Sequence, residues 1–239
     1  VHRVPASMDQ AVNFFDAITN GNFEITKSTL NNWTCVLSDK LDPLISKIKQ
    51  GLFNSYYVNT DESPINVNGK NHQIHSYSNE KYTLQYAHEK KSKSAIIELG
   101  FLPNYVGTLI HDHNTVQYNW GTKHGECNAH ILRYLKAAKE FTKHKWSLEM
   151  ADLLKEILHC KHSLLLENVS NFSKAKLDSY SQKYDDILKT ASDEYLSDYE
   201  TNAYKADEKK LISRLNKYKE NHLLFMYDFK IPFTNNRAE

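Results

Sequence analysis

The chain has 239 residues, 40% of them hydrophobic and 25% charged, which is typical of a soluble globular protein with one large or two small domains. A net charge of +1 excludes a uniformly basic nucleic-acid-binding protein, so any DNA contact must rest on local patches. The three cysteines are too few for a secreted disulfide framework, and no apolar run approaches the roughly 18 residues of a membrane span. We therefore expect a cytoplasmic protein without a signal peptide.

Residues 1–50 predict a short helical N-terminal segment. Apolar residues at helical spacing indicate a first helix with Asp9 as its N-cap, which ends before Gly21. A second helix is expected from about Thr26, with Pro43 interrupting or kinking it. Two helices around a glycine turn are typical of a helix-turn-helix, which binds DNA, or of an ordinary helical hairpin. The spacing leaves both interpretations open.

After residue 50 the pattern changes to strands. The Asn-Gly pair within Val67–Lys70 is typical of a tight hairpin turn between two of them. Three strands of antiparallel type, a helix, a strand, a short helix and a possible fifth strand follow in order, which is the order of a ribonuclease-H-like core with a mixed sheet. In that fold the first and fourth strands are neighbours. The predicted strands are Ser55–Thr60, Asn71–Tyr77, Tyr82–His88, the run that ends at Asp112, and His124–Asn128, and the predicted helices are Lys90–Leu99 and Thr115–Trp120.

An acidic residue follows the first and the fourth predicted strands. Asp61 ends the first, and we expect Pro64 to stop that strand because proline offers no N–H to the ladder. Asp112 follows the apolar run Thr108–Ile110. Ligand sites of α/β sheets lie at the carboxyl ends of their strands, and two neighbouring carboxylates need a cation to neutralise them. The pair predicts a metal site, although Asp112 alone could also be a solvated loop residue or a helix N-cap.

The second half of the chain is predicted to be helical. Between Ala129 and Asn221 apolar residues keep helical spacing without any proline, which indicates long antiparallel helices. Pro232 ends this pattern, and a new helix is expected near Asn236 with Glu239 in its first turn. Glu239 could simply be a carboxylate that interacts with the helix dipole. Because the chain ends where that helix begins, we expect it to be a piece of a longer protein.

Four stretches together resemble the transposases of bacterial insertion sequences of the IS66 family, whose catalytic domain is of the DDE kind. They occur in the family's order, and the resemblance runs from about Asn31 to the last residue. The stretches are Thr60–Pro64 with Val67–Lys70 (TDESP…VNGK), Leu102–His113 (LPNYVGTLIHDH), Glu126–Lys136 (ECNAHILRYLK) and Pro232–Glu239 (PFTNNRAE).

The resemblance implies an α/β fold in which a large all-helical insertion interrupts a ribonuclease-H-like core. The core would occupy residues 51–128, the insertion residues 129–225, and the return to the core residues 226–239, after the helical segment 1–50.

Three acids of this chain match the family's DDE triad. Asp61 and Asp112 match the two aspartates, and Glu239 matches the glutamate. The gap between Asp112 and Glu239 is more than twice that between Asp61 and Asp112, which fits an insertion before the last acid. The resemblance further implies DNA strand cleavage and transfer with two Mg²⁺ or Mn²⁺ ions, where Asp61 bridges both ions and the other two acids hold one each.

The stretch Cys127–His130 offers a further candidate near the site. His130 falls where the family keeps a histidine close to the catalytic acids. Cys127 and His130 could also be half of a zinc site, but no second half has suitable spacing. We expect His111, His113 and Cys127 to be packing or supporting groups rather than ligands.

DNA, both transposon ends and target, is the implied partner, bound by a homo-oligomer in the bacterial cytoplasm and associated with the nucleoid when DNA is bound. No membrane contact is expected. Affinity should come from phosphate contacts of basic residues that could otherwise be ordinary surface lysines. The candidates are Lys90, Lys91, Lys93, Lys143 and Lys145.

Three alternatives remain open at this point. The chain could be a truncated or degenerate transposase that binds DNA without catalysis. It could be a metal-dependent nuclease of the same fold, which nicks DNA without joining ends. It could also be a helical interaction protein built on residues 129–221, which would bind no metal near Asp61.

Overall fold

The computed structural model describes residues 7–198 and 204–238 of the chain, and Glu239 lies outside these ranges. The described residues form two compact units, the first ending at Gln50 and the second beginning at Gly51. The helices are α1 (Met8–Thr19), α2 (Lys27–Phe53), α3 (Lys93–Leu99), α4 (Asn128–Thr142), α5 (Trp146–Leu166), α6 (Lys174–Ser197), α7 (Lys205–Lys217) and the single turns α8 (Lys219–His222) and α9 (Leu224–Tyr227). The strands are β1 (Tyr57–Val67), β2 (Lys70–Ser78), β3 (Thr83–His88), β4 (Thr108–His111) and β5 (Lys123–Glu126).

The N-cap of helix α1 is Ser7 rather than the predicted Asp9, so the capping residue lies two positions earlier. The Ser7 hydroxyl accepts a hydrogen bond from the Gln10 N–H at 3.2 Å, and the Gln10 side chain accepts one from the Ser7 N–H at 2.7 Å. This reciprocal capping box satisfies two backbone donors that a lone aspartate would leave for water. The helix ends at Asn20 in the left-handed conformation, next to the predicted break.

Helix α2 runs through Pro43, so this proline does not interrupt the helix, and the alternative that Pro43 kinks it stays a prediction. A proline removes one backbone hydrogen bond, and the turns on either side of Pro43 keep the remaining ones. The helix-turn-helix interpretation of α1 and α2 stays a prediction.

In the described part of the chain, five strands form one mixed sheet in the order β3-β2-β1-β4-β5. Strands β1, β2 and β3 pair antiparallel, whereas β4 pairs parallel with both β1 and β5. The predicted neighbourhood of the first and fourth strands is confirmed by the register from Tyr57 opposite Thr108 to Thr60 opposite His111. The predicted hairpin is also confirmed, since Asn68 and Gly69 both have positive φ, as a two-residue turn of this type requires.

Strand β1 is longer than predicted, because Pro64 lies within it opposite Gln73. Antiparallel pairs alternate between hydrogen-bonded and non-hydrogen-bonded, and the two-residue turn makes Val67 and Lys70 a hydrogen-bonded pair. Three residues back, Pro64 therefore lacks ladder bonds to β2 and directs its nitrogen towards the side of β4. Parallel pairing with β4 ends at Thr60, so the missing N–H costs no ladder bond.

The sheet is covered by different layers on its two faces. On one face an aromatic stack joins Phe101, which follows α3, to Tyr77 of β2 and Phe53 at centroid distances of 4.5 and 4.8 Å. On the other face Ile110 belongs to a core that α4 to α9 build around Trp146 and other fully buried side chains. None of the helices in the described ranges is long and apolar enough to cross a membrane.

The last described residues return from α9 to the sheet. The backbone carbonyl of Phe233 accepts a hydrogen bond from the Asn128 N–H at 3.1 Å, at the start of α4. The buried Asn235 side chain donates to the carbonyl of Thr60 at 2.8 Å, and its own N–H donates to the Cys127 sulfur at 3.2 Å. Residues 236–238 then form a turn, and the predicted helix with Glu239 lies at the limit of the described ranges.

Candidate active site

Asp61 and Asp112 lie at the same edge of the sheet. The residues before them, Thr60 and His111, are paired across the parallel strands β1 and β4. Neighbouring strands are about 4.8 Å apart, so the chain brings the two aspartates side by side. Both are half-buried, and the Asp61 carboxylate accepts one hydrogen bond from the Ser63 hydroxyl at 3.1 Å.

A third acid, Glu62, adds to the negative charge at this edge. Its carboxylate is 8% exposed and accepts hydrogen bonds from the side-chain amides of Asn114, at 2.8 Å, and Gln117. Burial raises the pKa of Glu62, and the charges of Asp112 and Asp61 add to that rise against the opposing hydrogen bonds. The sequence analysis did not identify Glu62 as the third acid at this edge, although Glu62 directly follows Asp61. No local sequence pattern indicates the residues that bond its carboxylate.

Two of these acids, Asp112 and Glu62, line a cleft of about 870 Å³, whereas Asp61 is not among its lining residues. Lys90 and Lys91, two of the predicted DNA contacts, line the same cleft. In such a cleft the lysine side chains suit a negatively charged ligand, and the carboxylates suit a cation beside that ligand.

The other predicted DNA contacts lie elsewhere. Lys93, at the start of α3, donates a hydrogen bond to the Asn119 side chain at 2.7 Å. Lys143 and Lys145 lie between α4 and α5, beyond the end of α4 that is remote from the sheet edge. A helix of 15 residues is about 22 Å long, so the structure does not bring these two lysines to the cleft.

Glu126, at the end of β5, is a buried carboxylate with a complete set of partners. One of its oxygens accepts hydrogen bonds from His113 at 2.7 Å and from the Tyr118 hydroxyl. The other accepts two from Arg214 of α7, at 2.6 and 3.0 Å, and lies 3.7 Å from His222. Burial alone would raise the pKa of Glu126, but the hydrogen bond from His113 and the Arg214 guanidinium hold it below its usual range.

The expectation that His111 and His113 are supporting groups agrees with their surroundings. His111 is fully buried, and burial lowers its pKa to about 4, so it is neutral at pH 7. One of its ring nitrogens lies 3.1 Å from His124. His113 contacts Glu126 on one side, and its ring packs edge-on against Tyr218 with a centroid distance of 4.8 Å.

Cys127 and His130 lie at the start of α4. Cys127 is buried, precedes the helix and accepts the N–H of Asn235, which is a packing role. His130 is half-buried in the first turn of the same helix.

Within residues 7–198 and 204–238, no three side chains of histidine, cysteine, aspartate or glutamate are arranged to hold a metal ion. The described ranges offer two adjacent aspartates, and the third expected ligand, Glu239, lies beyond them. The donor set nevertheless fits a hard divalent cation, because carboxylate oxygens are the ligands that Mg²⁺ and Mn²⁺ prefer. Burial is the main cause of the raised pKa of Glu62, and the negative charges of Asp112 and Asp61, which such a cation would neutralise, add to it.

Comparison with known proteins gives one family match. The sequence model of the family described as "Transposase IS66 family" matches residues 15–239. No match was found among curated proteins or among solved structures.

Proposed function

The chain belongs to the transposase IS66 family, and on that premise we propose that it is a DDE transposase catalytic domain that cleaves DNA strands and joins them to a target with divalent metal ions. The family match supports transposition and a DNA partner. The observation that supports the metal-dependent chemistry is the adjacency of Asp61 and Asp112 at the point where the parallel pairing of β1 with β4 ends.

The strand order supports a ribonuclease-H-like core. Three antiparallel strands, a helix, and two further strands parallel to the first give the order β3-β2-β1-β4-β5, with β1 beside β4 in the middle. Helices α4 to α9 then correspond to the proposed all-helical insertion, and the segment after them returns to β1 at Thr60. The proposed limits are 51–128 for the core, 129–225 for the insertion and 226–239 for the return, after the N-terminal segment 1–50.

Asp61, Asp112 and Glu239 are proposed to hold two Mg²⁺ or Mn²⁺ ions. When bound, such ions activate an attacking hydroxyl and stabilise the charge of the leaving oxygen. The chain contributes the geometry: paired strands fix the two aspartates, and Ser63 orients the Asp61 carboxylate. The Asn235 side chain fastens the C-terminal return to Thr60, the residue before Asp61, which supports the delivery of Glu239 to the same edge.

The lysines of the cleft are proposed to bind the DNA backbone. Lys90 and Lys91 lie in the cleft with Asp112, where a phosphate held by them would face the carboxylates. Lys93, Lys143 and Lys145 remain candidates for more distant phosphates. His130 is proposed as a neighbour of the acids, at the start of α4. A homo-oligomer on DNA remains part of the proposal, because joining two transposon ends needs two catalytic centres.

The proposal is tested by product analysis with a labelled DNA duplex that carries the ends of the insertion sequence. With Mg²⁺ or Mn²⁺ the wild-type chain is expected to produce cut ends and joined products, and Asp61→Asn is expected to produce neither while it keeps its folded circular-dichroism spectrum. Nicks without joined products would point to a nuclease. DNA binding without any cleavage would point to an inactive transposase.

The matched control is Asp178→Asn, since Asp178 is an exposed acid of α6 in the helical insertion. This variant removes the same charge away from the cleft and should cleave like the wild type. Full metal-dependent cleavage by Asp61→Asn would overturn the assignment of Asp61.

A further inference from the structure

A second concave surface lies beside the cleft, between α4 and α7. It encloses about 580 Å³. We call it the tyrosine pocket and define it by Tyr134 and Ala137 of α4, Leu211 and Arg214 of α7, Tyr204 before α7, and His113. This volume is in the range of pockets that bind small organic groups.

The lining of the tyrosine pocket suits a flat, weakly polar ring. Leu211 is 5% exposed and Ala137 is half-buried, so the deeper surface is apolar. Tyr134 is 44% exposed, and the ring of Tyr204 is stacked on Phe141 with a centroid distance of 5.1 Å. Two tyrosine rings over an apolar floor form a stacking surface of the kind that proteins use for nucleobases.

Side chains of the tyrosine pocket are also held in place before a ligand binds. The Arg214 guanidinium lies 5.5 Å from the centre of the Tyr134 ring and is held by its two hydrogen bonds to Glu126. The Tyr204 hydroxyl donates to the backbone carbonyl of Tyr134 at 3.2 Å. Because these groups already hold their positions, a ligand that stacks here loses little to the ordering of side chains.

Charge at the pocket is balanced within the protein. Arg214 is neutralised by Glu126, and Lys210 at the rim forms an ion pair with Asp207 at 2.8 Å. The pocket therefore offers weak attraction to a free phosphate, and a ligand here is held by stacking rather than by charge.

The position of the pocket connects it to the cleft. His113 lines both cavities, and it directly follows Asp112 in the chain. A DNA strand with a phosphate near Asp112 therefore has its next nucleotides beside the tyrosine pocket.

We propose that the tyrosine pocket receives one base of the DNA strand that lies in the cleft, turned out of the duplex and stacked on Tyr134. The inference rests on the proposed function for its ligand, since DNA in the cleft is what presents the base. Extruding a paired base costs a few kcal/mol, whereas an unpaired base costs less. The pocket therefore favours DNA in which a base is already unpaired.

The test compares two labelled duplexes that are identical except for one unpaired adenine, with binding followed by fluorescence anisotropy in EDTA, so that cleavage plays no part. The wild type is expected to bind the duplex with the unpaired base about tenfold more tightly, the range that one stacked base supplies. Tyr134→Ala should abolish this preference and leave the affinity for the paired duplex unchanged. Tyr134→Phe, which keeps the ring, should retain the preference.

The matched control is Tyr227→Ala, because Tyr227 is a tyrosine of nearly equal exposure, 46%, outside the tyrosine pocket. It should behave like the wild type. The preference should also change little with salt concentration, since stacking and not counterion release supplies it.

Equal affinity of the wild type for both duplexes would overturn the inference, as would a preference that survives in Tyr134→Ala. Competition by free dAMP at micromolar concentration would also overturn it, because the pocket would then take a free nucleotide. If the wild type shows no preference for the unpaired base but cleaves DNA with a metal ion, only the tyrosine pocket is removed from the account. An intact preference without any metal-dependent cleavage would remove only the proposed catalytic function.

Discussion

The acids at one edge of the sheet have opposite surroundings: Asp61 and Asp112 form an open pair, whereas Glu126 lies in a closed site. Asp61 and Asp112 lie where the parallel pairing of β1 with β4 ends, and both are half-buried. Glu126, one strand further, is fully buried and accepts four hydrogen bonds, two of them from Arg214. An acid whose charge is satisfied inside the protein stabilises the fold, whereas adjacent acids left open to solvent are available to a cation.

The difference appears in the pKa shifts as well. Near the open pair the pKa of Glu62 is raised by burial and by the charges of Asp112 and Asp61, so negative charge has accumulated there. At the closed site the pKa of Glu126 is lowered by its donors despite its burial. Arg214 of α7 thus supplies positive charge to Glu126 at the end of β5 through two hydrogen bonds.

The largest expected effect belongs to the open pair. Asp61→Asn and Asp112→Asn should each lower the cleavage rate about a thousandfold, because several kcal/mol of charge stabilisation would be removed. The free energy of unfolding should stay within about 0.5 kcal/mol of the wild type or rise, since the removal of one acid relieves repulsion. Single-turnover cleavage and urea unfolding of the same preparations check both expectations. Loss of stability comparable to the loss of activity would contradict the comparison.

Substitution of Glu126, in contrast, should lower the free energy of unfolding strongly. Glu126→Gln removes one partner of a buried ion pair and should lower the free energy of unfolding by about 3–5 kcal/mol. The double variant Glu126→Leu with Arg214→Met should recover much of this loss, because it leaves no unpaired charge in the interior. Urea unfolding measures both. A loss below about 1 kcal/mol in Glu126→Gln would mean that this carboxylate does not hold α7 to the sheet.

A pH dependence of stability follows from His222, which is fully buried beside Glu126. Burial lowers its pKa from the usual 6.5 to about 4, so between these values the unfolded chain binds the proton and the folded chain does not. Stability should therefore fall as the pH drops from about 6.5 to 5, by up to about 1.4 kcal/mol per pH unit from this residue. Urea unfolding at three pH values measures the slope. In His222→Gln the slope should be smaller, and an unchanged slope would exclude this cause.

The smallest effect concerns the cleft lysines. Lys90→Ala combined with Lys91→Ala should weaken DNA binding several-fold and reduce the slope of log affinity against log salt concentration by about 2, one for each phosphate that a lysine no longer neutralises. Lys174→Ala combined with Lys189→Ala is the matched pair, because both are exposed lysines of α6 to which no DNA contact is assigned. Binding titrations at several salt concentrations distinguish them. Equal slopes in the two double variants would remove the cleft lysines from the proposed phosphate path.

Local sequence patterns predicted the open site better than the closed one. The Asn68–Gly69 turn and the order of the strands were visible in short stretches, because the period of a strand and the φ of a turn are local properties. The expectation that Asp61 ends the first strand was wrong, because β1 continues to Val67 in its pairing with β2. The prediction that Pro64 stops the strand was wrong because a proline costs a ladder hydrogen bond only where its nitrogen faces a paired strand. Pairing with β4 ends before Pro64, and a short stretch of sequence does not show that point.

The network around Glu126 could not be read from the sequence. Its partner Arg214 is 88 residues away in a helix whose periodicity marks an apolar face but not which polar residue turns inwards. The strand β5 has only four residues, too few for a clear alternation. Long-range pairing of buried charges is a property of the packed fold, and short-range patterns do not encode it.

The most direct test of the central claim is calorimetric titration of Mn²⁺ into the wild-type chain, Asp61→Asn, Asp112→Asn and the control Asp178→Asn. The account predicts that the wild type and Asp178→Asn bind the ion, and that Asp61→Asn and Asp112→Asn both lose most of the binding because the two aspartates share one site. Binding that survives unchanged in Asp61→Asn or Asp112→Asn, or a wild-type chain that binds no Mn²⁺, would contradict the account.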